Sequence, residues 1–467
     1  MAMDIITQMK RFVEPESVAI FGVSRTPMPV GSGSVDILSN LINGGYQGKI
    51  YPVHPHTDEI QGLKTYSSIA EVPGSVDLAV INLPRNKVPT LVKECINKDI
   101  KAIIIETQGF HDANDDEGKQ LQQEIYEHIK GTGTRILGPN TLGTANAFID
   151  FSSAFLETQM EKIPIGFICQ TGVFFLGLAG LKLMGKAVDL GNSSDIDISD
   201  SLEYLGFDDD IKVIGMHIEG VRNAAKFFNV ARRITCRKPV VALKTGKSEE
   251  AAKAAQSHTG TIAGGSQTWD SVLRQAGVIN VEDIEELGDT LRAFYKLPPM
   301  RGRRIGLISF TGGFGVMGLD ACQKFGLKVA QFSSETINRL SALYPPWQDI
   351  GNPADIGPGV MVNKMVDPFD AVELAISTLL GDPGVDAVLG IFGAFDPLIG
   401  HAYYKIAEKA MVLNPEKPLI FYFYGPCGTE AMNELALKDK VMAFPSPMRA
   451  IRALGHLADY SDFLRKP

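Results

Sequence analysis

At 467 residues, with 45% hydrophobic and 21% charged side chains, the chain has the make-up of a globular protein of about three domains, which excludes a disordered or fibrous one. Its net charge of -9 at pH 7 excludes the broad basic surface that general nucleic-acid binding requires, so an anionic ligand must be held by local backbone amides and a few placed cations. No apolar run is long enough to span a bilayer, the start lacks a secretory signal's basic-then-apolar order, and five scattered cysteines show neither a CxxC pair nor metal spacing, so the expectation is a cytoplasmic protein with reduced thiols, no metal site and no membrane contact.

From residue 17 to about 144, short β-branched runs at 18–21, 50–53, 78–81, 102–105 and 135–137 alternate with helix-like stretches. Several are nearly unbroken apolar runs, which predicts parallel strands covered on both faces in a doubly wound α/β domain. The first run ends in Gly22-Val23-Ser24-Arg25, where a tight glycine turn would present the next helix's N-terminus to a phosphate. Only one glycine falls in the frame of the dinucleotide fingerprint, and Gly31-Ser32-Gly33 lacks the third, which weighs against a nicotinamide-dependent oxidoreductase. Further on, Asn140 follows Gly138-Pro139 and reads either as an amide donor to a phosphate or acyl carbonyl or as a left-handed turn residue.

The segment Ile165-Gly166-Phe167-Ile168-Cys169-Gln170-Thr171-Gly172 closely matches Ile305-Gly306-Leu307-Ile308-Ser309-Phe310-Thr311-Gly312. Each reads as a strand, a Thr-Gly turn and a helix opening. Such units occur in every α/β protein, but a hydroxyl cap and free amides at both turns also predict a pair of anion sites. The second unit has further strands at 213–218 and 240–244, and Leu297-Pro298-Pro299-Met300-Arg301-Gly302 reads as a linker. A third unit follows with strands at 304–310, 385–391 and 419–423. In the second unit, Ser257-His258-Thr259-Gly260 sets an imidazole among hydroxyls and glycines. A neutral imidazole is a competent nucleophile, so this tetrapeptide is either a phosphoryl-carrying site or a surface-loop histidine.

Taken in order, Ser17-Val18-Ala19-Ile20-Phe21-Gly22, Gly48-Lys49-Ile50-Tyr51-Pro52-Val53, Leu137-Gly138-Pro139-Asn140, Gln170-Thr171-Gly172, Leu190-Gly191-Asn192, Ile218-Glu219-Gly220, Ser257-His258-Thr259-Gly260 and Gln275-Ala276-Gly277-Val278 give the chain its family likeness. It resembles the NDP-forming acyl-CoA synthetases, in particular the alpha subunits of ADP-forming acetate–CoA ligases, relatives of succinyl-CoA synthetase. The resemblance implies three tandem parallel-sheet domains: a Rossmann-like CoA-binding domain (1–146), a flavodoxin-like ligase domain carrying a phosphohistidine (147–297) and a second flavodoxin-like domain (298–467). It implies an acid–thiol ligase that interconverts acyl-CoA, ADP and phosphate with a small carboxylate, CoA and ATP through an acyl phosphate. His258 would carry the phosphoryl group, and a carboxylate accepting the far ring N–H, assigned to Glu219, would fix its tautomer.

For CoA the resemblance points to Gly22, Ser24, Arg25, Val53 and Pro84, with Asn140 beside them, and for the phosphoryl group to Gln170, Thr171, Gly172, Thr311, Gly312 and Gly313. No residues remain for an ATP-grasp module, so the resemblance implies a separate beta subunit that binds ATP or ADP with Mg2+ in an α2β2 complex. A non-catalytic CoA-sensing module is the alternative, which retention of His258 disfavours. The chain departs from the family at His54 and His56, where Asn and Lys are usual, at Cys169, Thr171 and Thr141, and at Phe310 and Phe314.

Overall fold

A computed structural model describes residues 4–23, 36–113, 115–158, 160–176, 184–248, 250–251, 266–436, 438 and 440–465. They form two compact units, Met1–Leu287 and Gly288–Pro467. The first unit opens with a five-stranded parallel sheet of β1 (Ser17–Phe21), β2 (Lys49–Val53), β3 (Leu78–Ile81), β4 (Ala102–Ile105) and β5 (Arg135–Leu137), in the order β2-β1-β3-β4-β5. β1, β3 and β4 are buried along their whole length. Helices cover both faces, which is why these strands read as unbroken apolar runs. Strand order reverses between β1 and β3, so the chain diverges at their carboxyl ends and leaves a crevice there. Gly22 ends β1 at φ +95°, and a Cβ there would collide with the Asn82 carbonyl oxygen. Backbone conformation and close approach together demand glycine.

The second sheet contains β6 (Thr144–Asn146), β7 (Phe151–Ser152), β8 (Ile165–Cys169), β9 (Lys186–Asp189), β10 (Val213–Ile218), β11 (Val240–Lys244) and β12 (Ile279–Val281), ordered β12-β11-β10-β8-β9-β6-β7. Its body is parallel, but β6 and β7 form an antiparallel edge. The backbone therefore leaves the first sheet after β5 and crosses into the second by residue 144, a change of sheet that short polar strands such as Thr144-Ala145-Asn146 do not announce.

The two sheets share one apolar cluster, to which the first contributes Val18, Ile20 and Leu78 and the second Ile168, Val188 and Ile214. Polar ties flank it: Arg135 donates to both Asp195 oxygens at 2.9 Å, Asn192 donates to Asp112 at 2.7 Å, and the Thr144 hydroxyl donates to the Phe12 carbonyl at 2.6 Å. Lys186, only 2% exposed, meets Asp208 at 2.7 Å, Asp210 at 2.9 Å and Glu14 at 3.0 Å. Burial works against its charge, but the hydrogen bonds to Asp208 and Asp210 outweigh it and hold the ammonium above its usual pKa.

The second unit carries β13 (Arg304–Ser309), β14 (Lys328–Val329), β15 (Ala354–Asp355), β16 (Ala387–Gly393), β17 (Leu419–Tyr424) and β18 (Met442–Phe444). The order is β14-β13-β16-β17-β18, with β15 added against β13. β8 and β13, the two strands of the internal sequence repeat, thus hold the same place: each is flanked by the next strand in its parallel series on one side and a later one on the other. Leu297 and Met300, from the predicted linker, are buried in this unit's core. Among the described residues no helix is long and apolar enough to cross a membrane.

Candidate functional site

A cavity of about 740 Å³ lies in the first unit where the carboxyl ends of its two sheets meet. Asn82, Pro84, Glu106 and Asn140 line it from the first sheet's turns, and Gln170, Thr171, Gly172 and Asp189 from the second's. Parallel strands place the turns that follow them on one rim, where free N–H groups face a ligand. Five predicted site residues (Pro84, Asn140, Gln170, Thr171 and Gly172) therefore share one cavity although up to 88 positions separate them, counted as 172 minus 84.

Gln170 is 3% exposed, and its side-chain oxygen accepts from the backbone N–H of Glu219 at 2.7 Å and of Gly220 at 3.1 Å. This bridge ties the turn after β8 to the turn after β10 and fixes where Glu219 begins. Lys244, at the end of β11, donates to the Glu219 carbonyl at 2.9 Å and lies over the Trp269 ring. Burial lowers its pKa to about 8, and the Glu219 charge offsets only part of that. Lys244 was not among the residues expected from sequence; a lysine ending a wholly buried strand is the signal that marks it.

Two carboxyl groups from different sheets enter the cavity. Asp189 accepts from the Leu142 N–H at 2.7 Å, yet full burial still raises its pKa to about 6. Glu106 is 5% exposed, and among the described residues neither of its carboxyl oxygens has a hydrogen-bond partner within 3.5 Å, the Asn82 side chain being the polar neighbour that interacts with it more loosely. Burial pushes it well above the usual carboxyl range, the Asn82 amide offsets part of this, and the Asp189 charge adds to it. Arg85 is the one cation among the described lining residues, and its guanidinium is already held by Asp115 at 2.8 Å and Glu117 at 2.6 Å.

Asn140 has the left-handed conformation of a turn residue (φ +59°) and also lines the cavity, its side-chain amide donating to Asn192 at 3.3 Å. Gly22 backs onto Asn82 behind the cavity wall. Val53 is buried in the first sheet's core and does not appear on the lining. After Thr171 the helix opening is a five-residue 3-10 helix, Gly172–Leu176, and Gly172 lies so close to Leu142 that a Cβ there would collide with it. In the second unit the expectation is met, since Thr311 caps the helix Gly312–Lys324 by accepting from the Phe314 N–H. Phe314 stacks on Tyr424 and Phe310 meets Phe392 edge-on, so these departures repack an aromatic cluster. His54 accepts from the His56 N–H at 3.2 Å. His258, Ser24 and Arg25 lie outside the described residues.

The CoA binding domain family matches residues 16–147, and the family of succinyl-CoA ligase like flavodoxin domains matches residues 162–294. Acetate–CoA ligase [ADP-forming] I subunit alpha of Pyrococcus furiosus is 32% identical over 98% of this chain and 99% of its own length. The chain belongs to the ADP-forming acetate–CoA ligase family. Within that family, acetate–CoA ligase [ADP-forming] II of Archaeoglobus fulgidus is 34% identical over 98% of this chain, and the chain spans 67% of that longer protein. The chain covers 64% of a second Archaeoglobus fulgidus member, acetate–CoA ligase [ADP-forming] I. Among solved structures, the dinucleotide forming acetyl-coenzyme A synthetase 1 of Ca. Korarchaeum cryptofilum, in complex with phosphate and ADP, superposes with a TM-score of 0.87 at 28% identity, covering 98% of this chain and 97% of that one.

Proposed function

We propose that this chain is the alpha subunit of an ADP-forming carboxylate–CoA ligase, working through an acyl phosphate and a phosphohistidine at His258. The observation that carries the reading is the cavity at the seam, where the rim of the CoA-binding domain faces the Gln170-Thr171-Gly172 turn of the ligase-like domain. A thioester presented from one wall and a phosphoryl group presented from the other would meet there, and phosphoryl transfer is chiefly positioning and electrostatic stabilisation.

In this reading Gly22, Ser24, Arg25, Val53, Pro84 and Asn140 form the CoA side. The positive-φ turn at Gly22 and the cavity-lining Pro84 and Asn140 suit a ligand that lies along the strand ends. Gln170, Thr171 and Gly172, and in the second unit Thr311, Gly312 and Gly313, hold the phosphoryl group. Glu219 steadies the His258 ring, with the Gln170 bridge fixing its backbone. Nucleotide and Mg2+ are bound by an ATP-grasp beta subunit in an α2β2 complex in the cytoplasm. The domain limits of the working unit are 1–146, 147–297 and 298–467.

The test is labelling with γ-labelled ATP in the presence of the beta subunit. Acid-labile, base-stable label on the wild type and none on His258→Ala is the expected result. A wild type that stays unlabelled while its partner binds ATP would defeat the proposal.

A further inference from the structure

Glu106 has no part in the chemistry assigned so far. It follows β4 directly, lines the seam cavity, is almost completely buried, and has no hydrogen-bond partner within 3.5 Å among the described residues, with only the looser Asn82 amide to offset the cost of its charge. A buried carboxyl without partners is costly and calls for an explanation. Asp189 does not share this condition, because backbone N–H groups of Leu142 and Gly191 satisfy it. The cavity is also acidic for a place that must admit anions: it holds two carboxyls, and its one described cation, Arg85, is committed to Asp115 and Glu117. A carboxylate substrate could enter beside Glu106 only if Glu106 carried a proton. In that form it offers one O–H donor and one acceptor toward the cavity.

We propose that Glu106, in its neutral acid form, donates a hydrogen bond to the acyl oxygen of the bound carboxylate and keeps that oxygen anchored in the acyl phosphate and the thioester. This deepens the ligase reading and rests on it. Burial is what chiefly favours its acid form; the Asn82 amide opposes it, and the negative charge of Asp189 adds to it. Arg85 is the other ionisable residue on the described lining, and the buried Cys169 thiol lies against Asp189. The arrangement follows the general pattern of a carboxylic acid held neutral by an apolar site so that it can serve as a donor.

The experiment uses the full chain with its beta subunit and whichever of acetate, isobutyrate or phenylacetate gives the highest kcat/KM. Replacing Glu106 by leucine should raise the KM for the carboxylate at least roughly tenfold, the size expected for losing a hydrogen bond to a charged group. The KM for CoA and the rate of His258 phosphorylation from ATP should stay within about threefold of wild type. The wild-type carboxylate KM should rise with pH as Glu106 ionises; Glu106→Gln keeps an N–H donor, so it should hold that KM within about threefold and abolish the rise. An unchanged carboxylate KM in Glu106→Leu, or a wild-type KM flat from pH 6 to 9, overturns the proposal. Infrared difference spectra of wild type against Glu106→Gln read the protonation directly: a protonated carboxyl band at pH 7 that shifts on adding the carboxylate supports the assignment, and an ionised carboxylate band refutes it. Absence of label on His258 in the wild type sinks the ligase reading instead, which keeps the two failures apart.

Discussion

Replacing Gln170 by methionine keeps the side chain's length and removes its acceptor. Two buried backbone N–H groups, those of Glu219 and Gly220, then lose the oxygen that now receives them at 2.7 and 3.1 Å. A buried donor left unsatisfied costs about 1–3 kcal/mol, so the pair should weaken the local structure by about 2–6 kcal/mol. At 1.4 kcal/mol per factor of ten, both amides should exchange with solvent roughly 30-fold to about 20,000-fold faster. Hydrogen–deuterium exchange of the full chain is the appropriate assay, because a protein of two compact units need not unfold in one step and a single unfolding free energy is then undefined. Gln170→Glu retains an acceptor oxygen and should protect both amides. Exchange at Glu219 and Gly220 within threefold of wild type in the methionine variant would refute the bridge as the element that positions Glu219.

Other consequences can be measured separately. Asp189 has a folded-state pKa of about 6 against an ordinary 3.8, so the native state binds the extra proton; its contribution to stability is fully present below about pH 4 and falls by about 3 kcal/mol as pH rises through 6. Urea unfolding of the first unit, followed through its own core amides, should show about 2 kcal/mol of this loss between pH 4.5 and 6.5 in the wild type and a smaller one in Asp189→Asn. Lys186→Met leaves Asp208 and Glu14 facing each other without their cation and should destabilise the first unit by about 3–5 kcal/mol, with Asp208→Asn added to it recovering part of the melting temperature. Gly22→Ala must adopt a positive φ and push back the Asn82 carbonyl, so calorimetry should show weaker CoA binding and a stability loss of about 1 kcal/mol or more. Wild-type CoA affinity in that variant would remove Gly22 from the CoA side.

Strands covered on both faces were legible because burial forces an uninterrupted apolar run: 78–81 and 102–105 are Leu78–Ile81 and Ala102–Ile105 in the structure. The repeat around residues 165 and 305 was legible for a related reason, since the first strand of a doubly wound sheet and its turn meet the same packing demands each time. β9 was missed because Lys186-Ala187-Val188-Asp189 begins and ends with charge, although all four residues are buried. Its lysine is compensated by a helix-borne carboxylate 172 positions away, a pairing that no local pattern records. Glu106 was passed over for the same kind of reason. A glutamate after an isoleucine run reads as a solvated strand end, whereas the structure buries it on a cavity wall shared with Asp189 of the second sheet.

The Arg135–Asp195 and Asn192–Asp112 ties and the shared apolar cluster rivet the two sheets of the first unit into one block. Swinging the two halves together around the cavity would have to tear that continuous core, so any tightening on the contents is left to the turns on its rim.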